Sequence, residues 1–512
     1  MKRRKLLKTC SLVAGMSLLF TSLIVSSTSI KAKSAAMRSA TDIVKEMGVG
    51  WNLGNTLDAK MTTLSLYSPT AEYETGWGNP VTTKAMMDKI KEAGFKTIRI
   101  PITWGEHMDS NNKVTSAWMK RVKEVVNYAI DDGFYVIINV HHDGNWCVPD
   151  NAHQASVTPK LQALWKQIAT EFKNYDDHLI FETLNEPRLE GTPYEWNGGT
   201  SESRNIVNKY NETALNSIRS TGGNNASRAV MMPTYAASTT QAALNDFKVP
   251  NDKNVIASIH AYSPYFFAMD ITSNIRTWGS GSDKYSLDSE FDNYVNTFRA
   301  KGVPFVIGEW GTINKANLSS RIAHAEYFVQ AAQKRGIPCV WWDNNISKEN
   351  TEETFGIFNR SALSWYHPEI KDALMRGYKS VHPDLPKPEV PSTKPTPTTP
   401  TTPTNPTTPT NPTVNSGLTL EKSINNWGSG YQVNIKISNK TKSNVNSWTL
   451  KIKKSDINIS SSWNVNIKEQ GNYYVITPVN WNSNIYPNGS VEFGIQGSGS
   501  INNNFTYELT SK

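Results

Sequence analysis

The chain has 512 residues, with 53 Lys or Arg against 45 Asp or Glu and a net charge of +8. That length predicts two to four domains, or one large barrel with a smaller module, and 38% apolar beside 19% charged residues excludes a charge-driven disordered chain. The charge is no nucleic-acid footprint either: Lys2, Arg3, Arg4, Lys5, Lys8, Lys31 and Lys33 crowd a first segment without acids, and no basic stripe follows.

In chain order, residues 1–34 read as an export signal. A basic start precedes the apolar stretch Leu12 to Val25, and small residues around Ala32, Ser34, Ala35 and Ala36 make a cleavage site. The apolar stretch is short for a membrane span and carries Ser17, Thr21 and Ser22. Cys10 comes before it, which argues against lipid attachment. The expected mature chain keeps Cys147 and Cys339, which supply neither a disulfide framework nor zinc-site spacing. Sequence leaves open whether they are free or paired.

Residues 35–385 alternate between short apolar runs and helical patterns. The runs are Gly48–Leu53, Thr97–Pro101, Phe134–His141, Leu179–Asn185, Ala229–Pro233, Val255–His260, Pro304–Glu309 and Pro338–Trp342. Between them, apolar residues recur at three- and four-residue spacing, as in Trp118, Val122, Val125, Val126 and Ala129. Gly94, Gly133, Gly302 and Gly336 stand where helices should stop. Eight strands alternating with helices predict an α/β fold, a closed (β/α)8 barrel. An open doubly wound sheet is the alternative, but no glycine-rich phosphate loop follows the first strand.

Residues 386–414 hold ten Pro and eleven Thr. Proline fixes φ and removes backbone donors, so this stretch predicts an extended linker reaching at most roughly 90 Å. Residues 415–512 carry alternating runs, such as Gln432–Ser438, Ser447–Ile452 and Tyr474–Thr477, separated by Asn, Ser and Gly. They predict an all-β antiparallel sandwich.

The polar residues of the barrel collect at strand C-terminal ends, the face where such barrels place their chemistry. They are Arg99, then His141, His142 and Asp143, then Asn185 and Glu186, then His260 and Tyr262, then Glu309, with Trp341 or Trp342 on the last strand. Cleaving an acetal needs a proton for the departing oxygen and a nucleophile for the anomeric carbon, and two carboxyls of unequal pKa supply both. Glu186 and Glu309 are the candidate pair. Asn185 can donate to a sugar 2-hydroxyl, Arg99 and His141 can keep Glu309 or its neighbours charged, and Tyr262 can donate to Glu309. Adjacent histidines on a strand point to opposite faces, so His141 and His142 are poor joint metal ligands, and no metal is expected. A Ser-His-Asp triad lacks its supporting motif.

The motifs GWNLGNTLDA (50–59), ETGWGNP (74–80), IRIPITW (98–104), VIINVHHDGNW (136–146), FETLNEP (181–187), HAYSPY (260–265), VIGEWG (306–311) and VWWDNN (340–345) follow in an order that resembles family 5 glycoside hydrolases, the retaining cellulases. The resemblance implies Glu186 as acid/base and Glu309 as nucleophile. It surrounds them with Arg99, His141, His142, Asn185, His260 and Tyr262, and makes Trp342 the sugar platform, with Trp341 the alternative. Residues 415–512 resemble a family 2 carbohydrate-binding module through NNWGSGYQVNIKISN, SWTLKI, SSWNVNI and WNSNIYPNGSVEFGIQG. That resemblance implies an exposed cellulose-binding strip of Trp427, Trp463 and Trp481, with Trp448 in the core. The 16 tryptophans fit this use, because flat rings stack on the C–H faces of sugars.

The expectation is a secreted, monomeric endo-1,4-β-glucanase acting on cellulose and other β-glucans, without cofactor, nucleic acid or membrane partner. Xyloglucanase, mixed-linkage glucanase, xylanase or mannanase activity on the same scaffold, and a catalytically dead polysaccharide-binding protein, are the alternatives.

Overall fold

The computed structural model describes residues 37–382, 417–426, 430–479, 482–499, 501 and 505–511. The expected export segment and the Pro/Thr-rich linker lie outside the described residues. Eight parallel strands close into a barrel in sequence order: β1 (Val49–Asn52), β2 (Thr97–Ile100), β3 (Tyr135–Asn139), β4 (Leu179–Glu182), β5 (Val230–Pro233), β6 (Val255–His260), β7 (Phe305–Trp310) and β8 (Cys339–Trp341). All eight expected strands are present, trimmed by a few residues. Gly94, Gly133, Gly302 and Gly336, where the helices were expected to stop, all have positive φ.

These strands are buried on both faces, which is why they read as continuous apolar runs. One face packs on the surrounding helices through Ile98, Ile138, Phe181, Met232, Ile259 and Ile307. The other fills the barrel in layers. Ile137, Ile180, Met231, Ile256, Val306 and Val340 form an apolar layer closed by the helix Ala40–Met47, whose Ile43 and Met47 are fully buried. Each such side chain contributes about 1.5–3 kcal/mol. One pleat further along, the interior turns polar: Asn52, Arg99, Asn139, Glu182 and Ser258 are all buried.

The register breaks at one place that matters. Ile259 pairs with Ile307, but His260 pairs with Glu309, so Gly308 is an extra residue in β7. Strict alternation would put Gly308 on the inner face and Glu309 on the outer one. The bulge turns Glu309 inward beside His260. Glycine suits the position, because a Cβ there would lie 3.3 Å from both the His260 ring and the Ser258 hydroxyl.

A short antiparallel pair, β9 (Phe358–Asn359) and β10 (Ser364–Trp365), follows the barrel strands. The C-terminal region forms two antiparallel sheets. One is ordered β11 (Leu418–Asn426), β12 (Gly430–Asn439), β17 (Ser490–Ser498), β14 (Ile459–Trp463); the other is β15 (Val465–Gln470), β16 (Tyr473–Pro478), β13 (Trp448–Lys453), β18 (Tyr507–Ser511). Trp448 sits in the core as expected, stacked on Phe493, with its indole N–H donating to the Asn482 carbonyl at 2.9 Å. Trp427 and Trp481 lie outside the described residues, and Trp463 is the last residue of β14. Cys147 and Cys339 are both buried and free. No described helix is long and apolar enough to cross a membrane.

Candidate active site

The sequence candidates converge at the C-terminal end of the barrel. Arg99, projecting from β2, organises them. Its Nη1 donates to Glu309 Oε1 at 2.6 Å and to Asn52 Oδ1 at 3.0 Å. Its Nη2 donates to Asn185 Oδ1 at 2.7 Å, and its Nε to Glu182 Oε2 at 2.8 Å. Because Asn185 spends its carbonyl oxygen on Arg99, its amide N–H groups are left to face a ligand.

Glu186 and Glu309 come together through His260. His260 Nδ1 lies 2.7 Å from Glu186 Oε1 and 3.6 Å from Glu309 Oε2, and one atom of each residue falls within a 4.8 Å cluster. The Tyr262 hydroxyl donates to Glu309 Oε2 at 2.9 Å. Glu186 and His260 titrate against their burial, whereas Glu309 follows its own and lies above the usual carboxylate range. Burial pushes the Glu186 carboxyl up, but His260 outweighs it and holds the group below the usual carboxylate range. Burial pulls the His260 imidazole down, but the two carboxylates outweigh it and raise it. Burial raises Glu309, with His260 and Arg99 pulling the other way. His260 Nε2 is buried with no hydrogen-bond partner among the described residues, and Nδ1 makes the ring's bond to Glu186.

His141 and His142 lie beyond the end of β3, not on it, so strand alternation does not separate them. Their rings meet edge to face at 4.4 Å. His141 reaches the nucleophile's network only indirectly. Its Nδ1 is 3.0 Å from Asn139 Nδ2, which also donates to Glu182 Oε2 at 3.0 Å. Asn139 therefore leaves Nδ1 unprotonated and Nε2–H free to donate toward the cleft. Burial holds His141 well below its usual value, and His142 at about 4.

Asp58, His141 and His142 each place a potential ligand atom within 4.8 Å of the others. Asp58 is already engaged, accepting from the backbone N–H groups of Asn55 (3.0 Å) and Thr56 (2.6 Å), and His141 Nδ1 is held by Asn139. The donor set fits a loop brace better than an ion. Asp143 likewise ties down a loop, accepting from the backbone of Trp104 and Gly105 and from the Trp146 indole.

The last residue of β8, Trp341, and its neighbour Trp342 just beyond the strand separate cleanly. Trp341 is fully buried against Trp310, with its N–H on the Phe355 carbonyl. Trp342 faces the catalytic end, parallel to His141 at 5.8 Å and packed with Ile313, Phe355 and Tyr262.

Sequence reasoning missed Asn52, Asn139, Glu182 and Ser258, the polar layer beneath the carboxylates. The signal was available: each is a polar residue at an inward position of an otherwise apolar strand. It also missed Arg188, whose Nη1 lies 3.7 Å from Glu186 Oε2 and whose guanidinium covers the exposed Trp196 ring at 4.4 Å.

Comparison with known proteins agrees with this geometry. Residues 57–348 match the model for cellulase (glycosyl hydrolase family 5), and residues 419–510 match that for a cellulose binding domain. The chain is 62% identical over 515 residues to endoglucanase A of Clostridium longisporum, covering 99% of this chain and 100% of that one. A solved GH5-4 broad specificity endoglucanase from Clostridium longisporum shares 71% identity at a TM-score of 0.67, covering 68% of this chain and all of the other. A similar structure from Ruminococcus champanellensis, with bound cellotriose, shares 46% identity at a TM-score of 0.64, covering 66% of this chain and 99% of that one.

Proposed function

The chain belongs to glycosyl hydrolase family 5, and from that premise we propose which residues perform its chemistry. It is a retaining endo-1,4-β-glucanase with a cellulose-binding module. In our reading Glu309 attacks the anomeric carbon of an internal glucosyl unit as the bond to the departing sugar oxygen breaks. Glu186 delivers the proton that oxygen requires. Water then gives a proton back to Glu186 and attacks the same carbon, freeing Glu309. The observation that carries this reading is His260 bridging two carboxylates with unequal partners. Glu186 shares one proton with His260 across a 2.7 Å bond, whereas Glu309 is held by Arg99 and Tyr262, which donate to it. The proton for the leaving oxygen is thus stored beside the acid. Esterification removes the Glu309 charge, and Glu186 then remains ionised as the base for the second step.

Asn185 Nδ2 and His141 Nε2 are the donors for sugar hydroxyls, and Trp342 is the platform beneath the ring at the cleavage point, with His142 lining the same wall. Trp427, Trp463 and Trp481 form the cellulose-contacting strip of the module. Residues 1–34 are an export signal and the mature enzyme is secreted. The barrel occupies 35–385, and the tether 386–414 keeps it near insoluble substrate while the module (415–512) is bound. We also infer that more than one β-1,4-linked glucan is cleaved, in keeping with the broad specificity named for the 71%-identical structure.

The test is NMR of the first-formed anomer from a soluble cello-oligosaccharide, with Glu309→Ala and Glu186→Ala run alongside. A β-anomer appearing first and loss of turnover in both variants are expected. An α-anomer appearing first, or an active Glu309→Ala, would overturn the assignment. Initial rates on a panel of purified glucans, xylan and mannan test the substrate range.

A further inference from the structure

We infer that Glu182 is a positioning residue which divides the charge of Arg99 and so sets how readily Glu309 ionises and attacks. This deepens the reading above and rests on Glu309 being the nucleophile.

Glu182 closes β4 inside the barrel, fully buried beneath the catalytic end and out of reach of any sugar. Every partner it has is a donor. Oε2 accepts from Arg99 Nε at 2.8 Å and from Asn139 Nδ2 at 3.0 Å, and also lies 2.7 Å from Arg99 Nη2. Oε1 accepts from Ser258 Oγ at 2.7 Å. Both of its oxygens therefore act as acceptors, with the Arg99 guanidinium against one of them. A single guanidinium thus stands between two carboxylates, with Nε and Nη2 on Glu182 and Nη1 on Glu309. Burial pulls Arg99 down, yet the two acids hold it above its ordinary value.

The charge balance has a direction. With Glu182 present, Arg99 is largely neutralised from below, and Glu309 receives only part of its field. Without that charge the guanidinium would belong to Glu309 alone, and the nucleophile would ionise at lower pH and attack less well. Among the described residues, the other titratable groups around Glu309 are Glu186 from the segment after β4, which has Arg188 beside it, His260 and Tyr262 from the end of β6, and Glu353 from the loop after β8. His141, from the segment after β3, is kept neutral by burial. None of these contacts Arg99 from the side Glu182 occupies.

The test uses the full chain and Glu182→Gln. The glutamine oxygen can accept from Arg99 and Asn139, and its N–H can donate to Ser258, so charge changes while bonding survives. The readout is the pH dependence of inactivation by a dinitrophenyl 2-deoxy-2-fluoro-β-cellobioside. Its leaving group needs no proton, so the acid limb reports the nucleophile, and peptide mapping identifies the trapped residue. We expect the limb to fall by about one unit, with a slower plateau and the ester on Glu309. Ser258→Ala concentrates the Glu182 charge on Arg99 and should move the limb the opposite way. An unmoved or rising limb in Glu182→Gln, with the ester on Glu309, overturns the role of Glu182 alone. An ester on another residue in the unaltered chain overturns the nucleophile assignment instead. Should Glu182→Gln fail to fold by circular dichroism, Ser258→Ala decides: an upward shift supports the inference, and no shift or a downward one overturns it.

Discussion

Replacing Tyr262 by Phe removes one hydroxyl and keeps the ring. That hydroxyl donates to Glu309 Oε2 at 2.9 Å, while Arg99 holds Oε1 at 2.6 Å. A hydrogen bond to a charged group is worth about 1.5–3 kcal/mol. One pKa unit corresponds to about 1.4 kcal/mol. Losing the donor destabilises the ionised form, so the Glu309 pKa should rise by roughly one to two units. Activity is lost as falling pH protonates the nucleophile, so the acid limb of kcat/KM should move upward by that amount. The ring's contact with Phe355 at 5.4 Å is retained, and the melting temperature should stay close to that of the unaltered chain. The assay is kcat/KM against pH on an aryl β-cellobioside with a good leaving group, so that protonation by Glu186 does not mask the limb. Hydrolysis of the glycosyl-enzyme should also slow, because the hydroxyl supports the departing carboxylate, and a burst should become visible. A limb that stays in place or moves down would refute this account of how Glu309 is held.

The remaining predictions concern stability and the module. Arg228, fully buried before β5, donates to the carbonyls of Asp176, Leu179, Phe172 and Tyr175 and to Asn225 Oδ1. Arg228→Met should cost about 3–5 kcal/mol in chemical denaturation, since the carbonyls lose their donors inside the protein; a loss under about 1 kcal/mol would contradict this. Burial pushes the Glu290 carboxyl up to about 7, with Ser263 and Tyr294 opposing. The folded chain then keeps a proton that the unfolded chain releases above about 4.5, so this group costs stability as pH rises from about 4.5 to 7. Glu290→Gln should melt higher than the parent at pH 8, with the advantage vanishing below about pH 4.5; a lower melting point at pH 8 would reverse the argument. Alanine at Trp427, Trp463 and Trp481 together should abolish retention on insoluble cellulose in a pull-down and leave rates on soluble substrate unchanged.

Much of this enzyme was legible in its residues. The alternation of apolar runs with helical spacing is a local property, and it identified all eight barrel strands. Arg99, Asn185, Glu186, His260, Tyr262 and Glu309 stood out because polar and charged groups after apolar runs are costly without a role. What the chain order could not display is how partners from different strands meet. Glu182 and Asn139 look like ordinary strand residues until Arg99 and Ser258 close around them. Trp341 and Trp342 are neighbours in sequence, and only packing against Trp310 or His141 tells core from cleft. The bulge at Gly308 is the sharpest case. Simple alternation turns Glu309 away from the barrel interior, and its inward aim depends on the register β7 adopts against β6, which a two-residue periodicity does not encode.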